Sequence, residues 1–306
     1  MSPSLAYTGS PAPPMLLLPL DPHKHSSPAR NHLLLIAAAV LFSTGGVAVK
    51  GVAFTAWQVA SLRSGVAAAV LLVALPAARR GWNWRMVPVA AAYAATMITF
   101  VVSNRMTTAA DAIFLQSTAP LYLLLLGPLL LHEPIRRTDL LYMAAVACGM
   151  TLFFTGTETP LATAPDPARG NIVGAISGLT YALTLAGFRW VGRRDAGMAT
   201  VALGNLMASL AVLPMALPVG RIEPSSVLVV AYLGVFQIGL AYVCVTRAMR
   251  HVTAFEANTV LLLEPALNPV WVWLIQGERP GLRALAGGAV ILTATFVNTW
   301  RQSRSV

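Results

Sequence analysis

The sequence predicts an all-α integral membrane protein with ten transmembrane helices in two inverted five-helix repeats. Three observations predict it. Of 306 residues, 57% are hydrophobic and 10% are charged, and mean hydropathy is +0.69; soluble domains carry about 25% charged residues. The apolar residues gather in ten blocks, each near the ~20 residues that a helix needs to cross a bilayer. Finally, the stretch from Thr108 through Asp111 and Pro120 to Glu133 aligns without gaps on Thr253, Glu256, Pro265 and Glu278, at an offset of 145 residues. A fainter match sets Phe42–Lys50 against Tyr181–Arg189 at an offset of 139. The chain reads as two similar halves.

Residues 1–31 are rich in Pro and Ser and lack the charged start and long apolar core of a cleavable signal, so they read as a disordered cytoplasmic tail. The ten blocks follow at 32–50, 55–77, 85–104, 109–131, 138–156, 170–190, 198–218, 226–247, 254–276 and 282–300. Gly and Ala recur inside them, as close helix packing in lipid requires. The polar, Pro-rich residues 157–169 form an extracytoplasmic linker between a first repeat, 32–156, and a second, 170–302. With the N-terminus placed in the cytoplasm, fourteen Lys and Arg residues fall inside and six outside, with Arg63 left within a helix. That asymmetry favours both termini in the cytoplasm. An odd number of spans per half turns the second half upside down relative to the first. Secondary transporters commonly share this plan, with their sites near the midplane at the repeat interface.

The net charge of +10 sits in short loops, which is topology and argues against nucleic acid. Cys148 and Cys244 lie inside apolar blocks, so neither a disulfide framework nor a metal site is expected. No phosphate loop, metal-ligand spacing or serine elbow stands out, and no cofactor is expected.

Ala119-Pro120 through His132-Glu133, Leu263-Glu264-Pro265 through Gly277-Glu278, and Arg63 in Ser-Leu-Arg63-Ser-Gly resemble the drug/metabolite transporter superfamily, EamA type. The resemblance covers residues 32 to 300. It implies a ten-helix carrier in the bacterial inner membrane that exports small organic solutes such as amino acids, amines or drug-like compounds. The first half departs from the second in having Ala119 where the second has Glu264.

Glu264 is the sharpest candidate, because an ionisable group inside a membrane helix is costly. Helical spacing sets Glu264, Asn268 and Trp271 on one face, a stripe suited to a partly aromatic or amine-bearing solute. Glu264 either meets a substrate cation, carries a proton, or serves as a structural acid. Arg63 either counters a substrate carboxylate, pairs with Glu264, or snorkels to the surface. Ser43, Tyr93, Gln116, Tyr181, Gln237, Tyr242 and Asn258 are further candidates for the lining, each open to a plainer role in interhelical hydrogen bonding. Pro120 and Pro265 should kink the fourth and ninth helices at matching depth by removing donors from the carbonyls of Gln116 and Leu261. Asp111 and Glu256 fit capping boxes behind Thr108 and Thr253. Glu133 and Glu278 read as interfacial partners of Arg136, Arg137, Arg279 and Arg283.

The expected partners are a small-molecule substrate, the lipid bilayer and, if transport is coupled, protons; the oligomeric state is not legible. The expected mechanism is alternating access, by uniport or proton antiport, with the cavity built largely from the first, third, fourth, sixth, eighth and ninth helices. A membrane-embedded enzyme and a non-transporting partner or receptor subunit are the alternatives.

Overall fold

A computed structural model describes residues 28–130, 137–155, 161–191, 194–220, 222–249, 251–252 and 254–304. The first 27 residues, Glu133, Arg136, Thr253 and the side chain of Asn258 lie outside the described residues. The described residues are helical throughout, apart from one isolated bridge between Leu161 and Ala164 and the connecting turns.

In the first half the helices are α1 (Pro28–Ser43), α2 (Gly45–Lys50), α3 (Ala56–Ala74), α4 (Met86–Met106), α5 (Ala109–Gln116), α6 (Ala119–Leu130) and α7 (Arg137–Phe154). The second half holds α8 (Pro167–Val191), α9 (Arg194–Ala211), α10 (Leu213–Ala216), α11 (Pro224–Tyr232), α12 (Ala241–Ala248), α13 (Ala254–Leu261), α14 (Leu263–Gln276) and α15 (Leu282–Arg304). Among the described residues, seven helical stretches are long and apolar enough to cross a membrane: Ala29–Lys50, Ala56–Ala74, Met86–Met106, Ala109–Leu126, Pro167–Phe188, Pro224–Ala248 and Thr259–Gln276. Three shorter apolar helices, Asp139–Phe154, Gly197–Ala211 and Leu282–Asn298, accompany them.

Boundaries shift where local chemistry decides them. Pro28 opens α1 four residues ahead of its apolar block, since proline fits a helix's first turn. Thr55 caps α3 reciprocally with Gln58, at 3.2 and 3.0 Å. The block expected to run to 218 loses its long helix at Ala211; Pro214 then starts the short α10, and Leu217 is extended. Between α11 and α12, Leu233–Leu240 winds as a π-helix. Its apolar sequence gives no hint of that.

The interruptions expected from proline are present at matching positions. The fourth block breaks at Ser117–Thr118, just ahead of Pro120, and the ninth at Leu262, ahead of Pro265. At the first break Ser117 donates its hydroxyl to Ile113 O at 2.7 Å and Thr118 to Leu115 O at 2.6 Å, beside the backbone donors those carbonyls already have. The second half has leucines there, and Glu264 follows directly.

Packing runs across the halves more than within them. Helix α4 lies on α8 and α9, and its counterpart stretch, π-helix and α12, lies on α1 and α3. Helices α5 and α6 pack on α8 as α13 and α14 pack on α1; α3 meets α9, α5 meets α14, and α7 meets α15. Every one of these pairings except α5 with α14 maps onto another, or onto itself, when the halves are exchanged. The α7–α15 contact depends on two glycines. A Cβ at Gly149 would come within 3.0 Å of Gly287 O, and one at Gly287 within 2.7 Å of Gly149 O.

Candidate functional site

Three sets of polar side chains meet in the interior, joined through aromatic rings. The first is carried by α14. Glu264 stands in the first turn of α14, the end of a helix that best tolerates a carboxylate. Asn268 lies one turn further on and is 0% exposed. Its amide packs against Gly46, whose missing side chain makes the room, and neither amide atom has a hydrogen-bond partner. Trp271, a further turn along, donates its indole N–H to Ser43 Oγ at 2.9 Å. The predicted stripe therefore faces α1 and α2 across the interface between the halves. Beside it, Thr44 Oγ1 and Tyr232 OH share a hydrogen bond at 2.9 Å, and Gln237 Nε2 donates to Phe42 O at 3.4 Å.

The second set surrounds Arg63 of α3. The guanidinium, 1% exposed, donates to Met97 O at 3.2 Å and touches Met97 Sδ at 3.9 Å. Its Nε has no partner. Arg63 therefore does not pair with Glu264, which corrects one of the sequence expectations; nor does it snorkel to the surface, for it is held in the interior by Met97. Tyr93 and Tyr242 are its electrostatic neighbours, and their rings meet edge-on at 6.4 Å. Asn205 of α9 donates to Tyr93 OH at 3.2 Å and leaves its own Oδ1 without a partner. Phe42 closes on Tyr242 at 5.4 Å and links this set to the first. Tyr181, 36% exposed, and Tyr242 both lie within electrostatic reach of the half-buried Glu264.

The third set is built by α5 on α8. Gln116 Nε2 donates to Ser177 Oγ at 2.9 Å, and Thr96 Oγ1 donates to Thr180 Oγ1 at 3.0 Å. Every candidate whose side chain is described thus falls in one of these sets. Arg63 on α3 and Asn205 on α9 add the second and seventh blocks to the six expected to line the interior.

One end of the molecule is closed by a buried ion pair. Lys50 Nζ lies 2.9 Å from Glu278 Oε2, and both side chains are 2% exposed. Glu278 Oε1 accepts the Ala109 N–H at 2.7 Å, capping α5 from the other half. Lys50 also donates to Thr107 O at 2.8 Å and to Thr163 O. Next to it, Arg105 donates to the carbonyls of Val52 at 3.1 Å and Phe54 at 2.9 Å. Glu278 is therefore not an interfacial partner of Arg279 or Arg283, as its sequence neighbours implied; Arg283 instead donates to Thr155 O. The capping expectation for Asp111 is met on one side: Thr108 Oγ1 accepts the Asp111 N–H at 3.1 Å. The acid itself accepts from Thr107 Oγ1 at 3.1 Å. The opposite charges of Lys50 and Glu278 are the one sign in the sequence that they meet. Asn205 carried no such sign.

The chain matches the EamA-like transporter family over residues 30–155 and again over 168–300, once in each half. A curated protein of Archaeoglobus fulgidus, described as an uncharacterized transporter, is 27% identical over 207 residues, which are 68% of this chain and 73% of that one. An uncharacterized transporter of Clostridium kluyveri is 32% identical over 74 residues, about a quarter (24%) of each protein. A solved crystal structure of a protein shares the fold, with a TM-score of 0.58 at 19% identity over 91% of this chain and 99% of that one. With apolar helices of spanning length and the double match covering both halves, the chain belongs to the EamA-like transporter family.

Proposed function

We propose that this membrane transporter is a secondary carrier that exports small organic metabolites, such as amino acids, amines or drug-like compounds, by alternating access. In this reading all ten apolar blocks cross the inner membrane as two inverted repeats, residues 32–156 and 170–302, with linker 157–169 outside and both termini in the cytoplasm. The observation that carries it is the pair of helix breaks at matching depth, with Glu264 beside the second. Interrupted helices in corresponding positions of two halves are the strongest pointer to a transporter's binding site. The exchangeable packing of the halves supports a rocking motion about that site.

Glu264, Asn268, Trp271, Ser43, Gln237, Tyr93, Tyr181, Tyr242, Arg63, Gln116 and Asn258 make up the proposed site. Glu264 is its coupling residue. It has neither a hydrogen-bond nor an ion-pair partner among the described residues and so is free to meet a substrate cation or a proton. The Lys50–Glu278 pair serves as the extracytoplasmic seal, which must open for release. Transport runs as uniport or as proton antiport, and Glu264→Gln separates the two.

The test is counterflow in proteoliposomes containing only this chain, with and without a pH gradient. Saturable exchange of at least one compound class is expected, and Glu264→Gln is expected to lose the dependence on the gradient. A folded protein that exchanges nothing overturns the carrier reading. A Glu264→Gln variant with normal rates and an unchanged pH profile removes the proton from Glu264.

A further inference from the structure

Two buried cations described above differ in one respect. Lys50 has its carboxylate, Glu278, at 2.9 Å. Arg63 is at least as deeply buried and, among the described residues, has none; its acceptors are a backbone carbonyl and a thioether, both of Met97. A guanidinium cannot shed its proton to escape the cost. A buried charge left without a counter-charge is among the more expensive features a fold can hold, and intramembrane charges mark pathways when they persist.

The surroundings are prepared for a further acceptor. The Arg63 Nε–H is a buried donor with no partner, which is the group a further acceptor would satisfy. Tyr93 is held in place by the Asn205 amide and meets Tyr242 edge-on at 6.4 Å, and Phe42 on the far side of the network meets Tyr242 at 5.4 Å.

We infer that Arg63 is the anion-recognising residue of this site, so that the cargo must carry a carboxylate in addition to any amine that meets Glu264. This rests on the carrier reading for the cargo, although not for the binding. Arg63 then acts as a selectivity residue: planar, bidentate recognition of a carboxylate is what a guanidinium does best. Solutes with the amine alone leave the buried cation uncompensated and bind more weakly.

The test compares matched pairs that differ only in the carboxylate, ornithine against putrescine and tyrosine against tyramine, by ligand-induced thermal shift in detergent and by counterflow. The full-length chain is expected to bind and exchange a carboxylated member about tenfold or more better than its decarboxylated partner. Arg63→Gln should bring that ratio close to one, and Arg63→Lys should keep part of it. The variant's own stability is the second readout. An arginine with a structural partner destabilises the fold on removal, whereas Arg63→Gln relieves an uncompensated charge and should melt at or above the parent temperature.

Binding that discriminates within pairs, without flux, defeats the carrier reading and leaves the assignment of Arg63 standing. Flux that is equal for both members of each pair does the reverse. The assignment is also overturned if neither carboxylated compound shifts the melting temperature, if Arg63→Gln keeps the ratio, or if that variant melts well below the parent.

Discussion

At the scale of single residues, the interior is organised by what each polar group lacks. Asn268 has room only because Gly46 has no side chain, so a methyl group added there presses on the buried amide. Gly46→Ala is expected to cost about 1–3 kcal/mol through overpacking, read as a lower melting temperature. Gly46→Ala combined with Asn268→Ala should recover much of that loss, because the second change vacates the space the first one needs. Independent losses that merely add would show that the two residues do not press on one another. Lys50 is a different case. Lys50→Met leaves the Glu278 carboxylate buried with the Ala109 N–H for company, and is expected to cost about 3–5 kcal/mol. Of these arrangements the sequence made one legible, the Glu264, Asn268 and Trp271 stripe, because helical spacing alone places it. The Trp271–Ser43 bond and the Lys50–Glu278 pair each join residues more than two hundred positions apart. No local pattern encodes such a meeting.

At the scale of elements, breaks lie just ahead of Pro120 and Pro265 while Pro128 and Pro269 sit inside unbroken helices, and the π-helix did not read at all. Proline acts through a missing donor, which any sequence displays. The halves differ at the break: hydroxyls of Ser117 and Thr118 bond the carbonyls of Ile113 and Leu115 in the first, and the matching positions in the second are Leu262 and Leu263. Pro265→Ala should therefore mend the ninth helix, raising or preserving thermal stability since proline disfavours a helix interior by about 3 kcal/mol. Exchange should slow about tenfold, if the break lets the helix flex during the cycle, a slowing of 1.4 kcal/mol in barrier. Pro120→Ala should gain less stability, because the Ser117 and Thr118 hydroxyls hold the turn ahead of it. Equal rates in Pro265→Ala and the parent would assign the break to packing alone.

For the whole molecule, the halves interlock so that nearly every contact between long helices is a contact between repeats. Neither half buries its faces alone, so separate expression of residues 32–156 and 170–302 is expected to give no stable half, while co-expression reassembles the pair; pull-down from membranes checks both. The ion-pair seal also acts at this scale. Lys50→Met with Glu278→Gln removes both charges and keeps an acceptor for the Ala109 N–H. That double variant should regain the stability lost in Lys50→Met, since a neutral buried pair avoids desolvating charge. It should also exchange more slowly, because opening no longer returns two charges to water. Faster exchange in the double variant would mean that the pair does not set the opening step.

The π stretch before Tyr242 stores angular phase. Each π turn takes up one residue more than an α turn, and one residue is about 100° of rotation in an α-helix. If Leu233–Leu240 relaxed to α, everything beyond it would turn about its own axis with no sliding along the membrane normal beyond a residue's rise. Tyr242, now edge-on to Phe42 of the Glu264 pole and to Tyr93 of the Arg63 pole, would swing away from both. A rewinding of this kind offers a way to uncouple the two poles of the site without moving either pole.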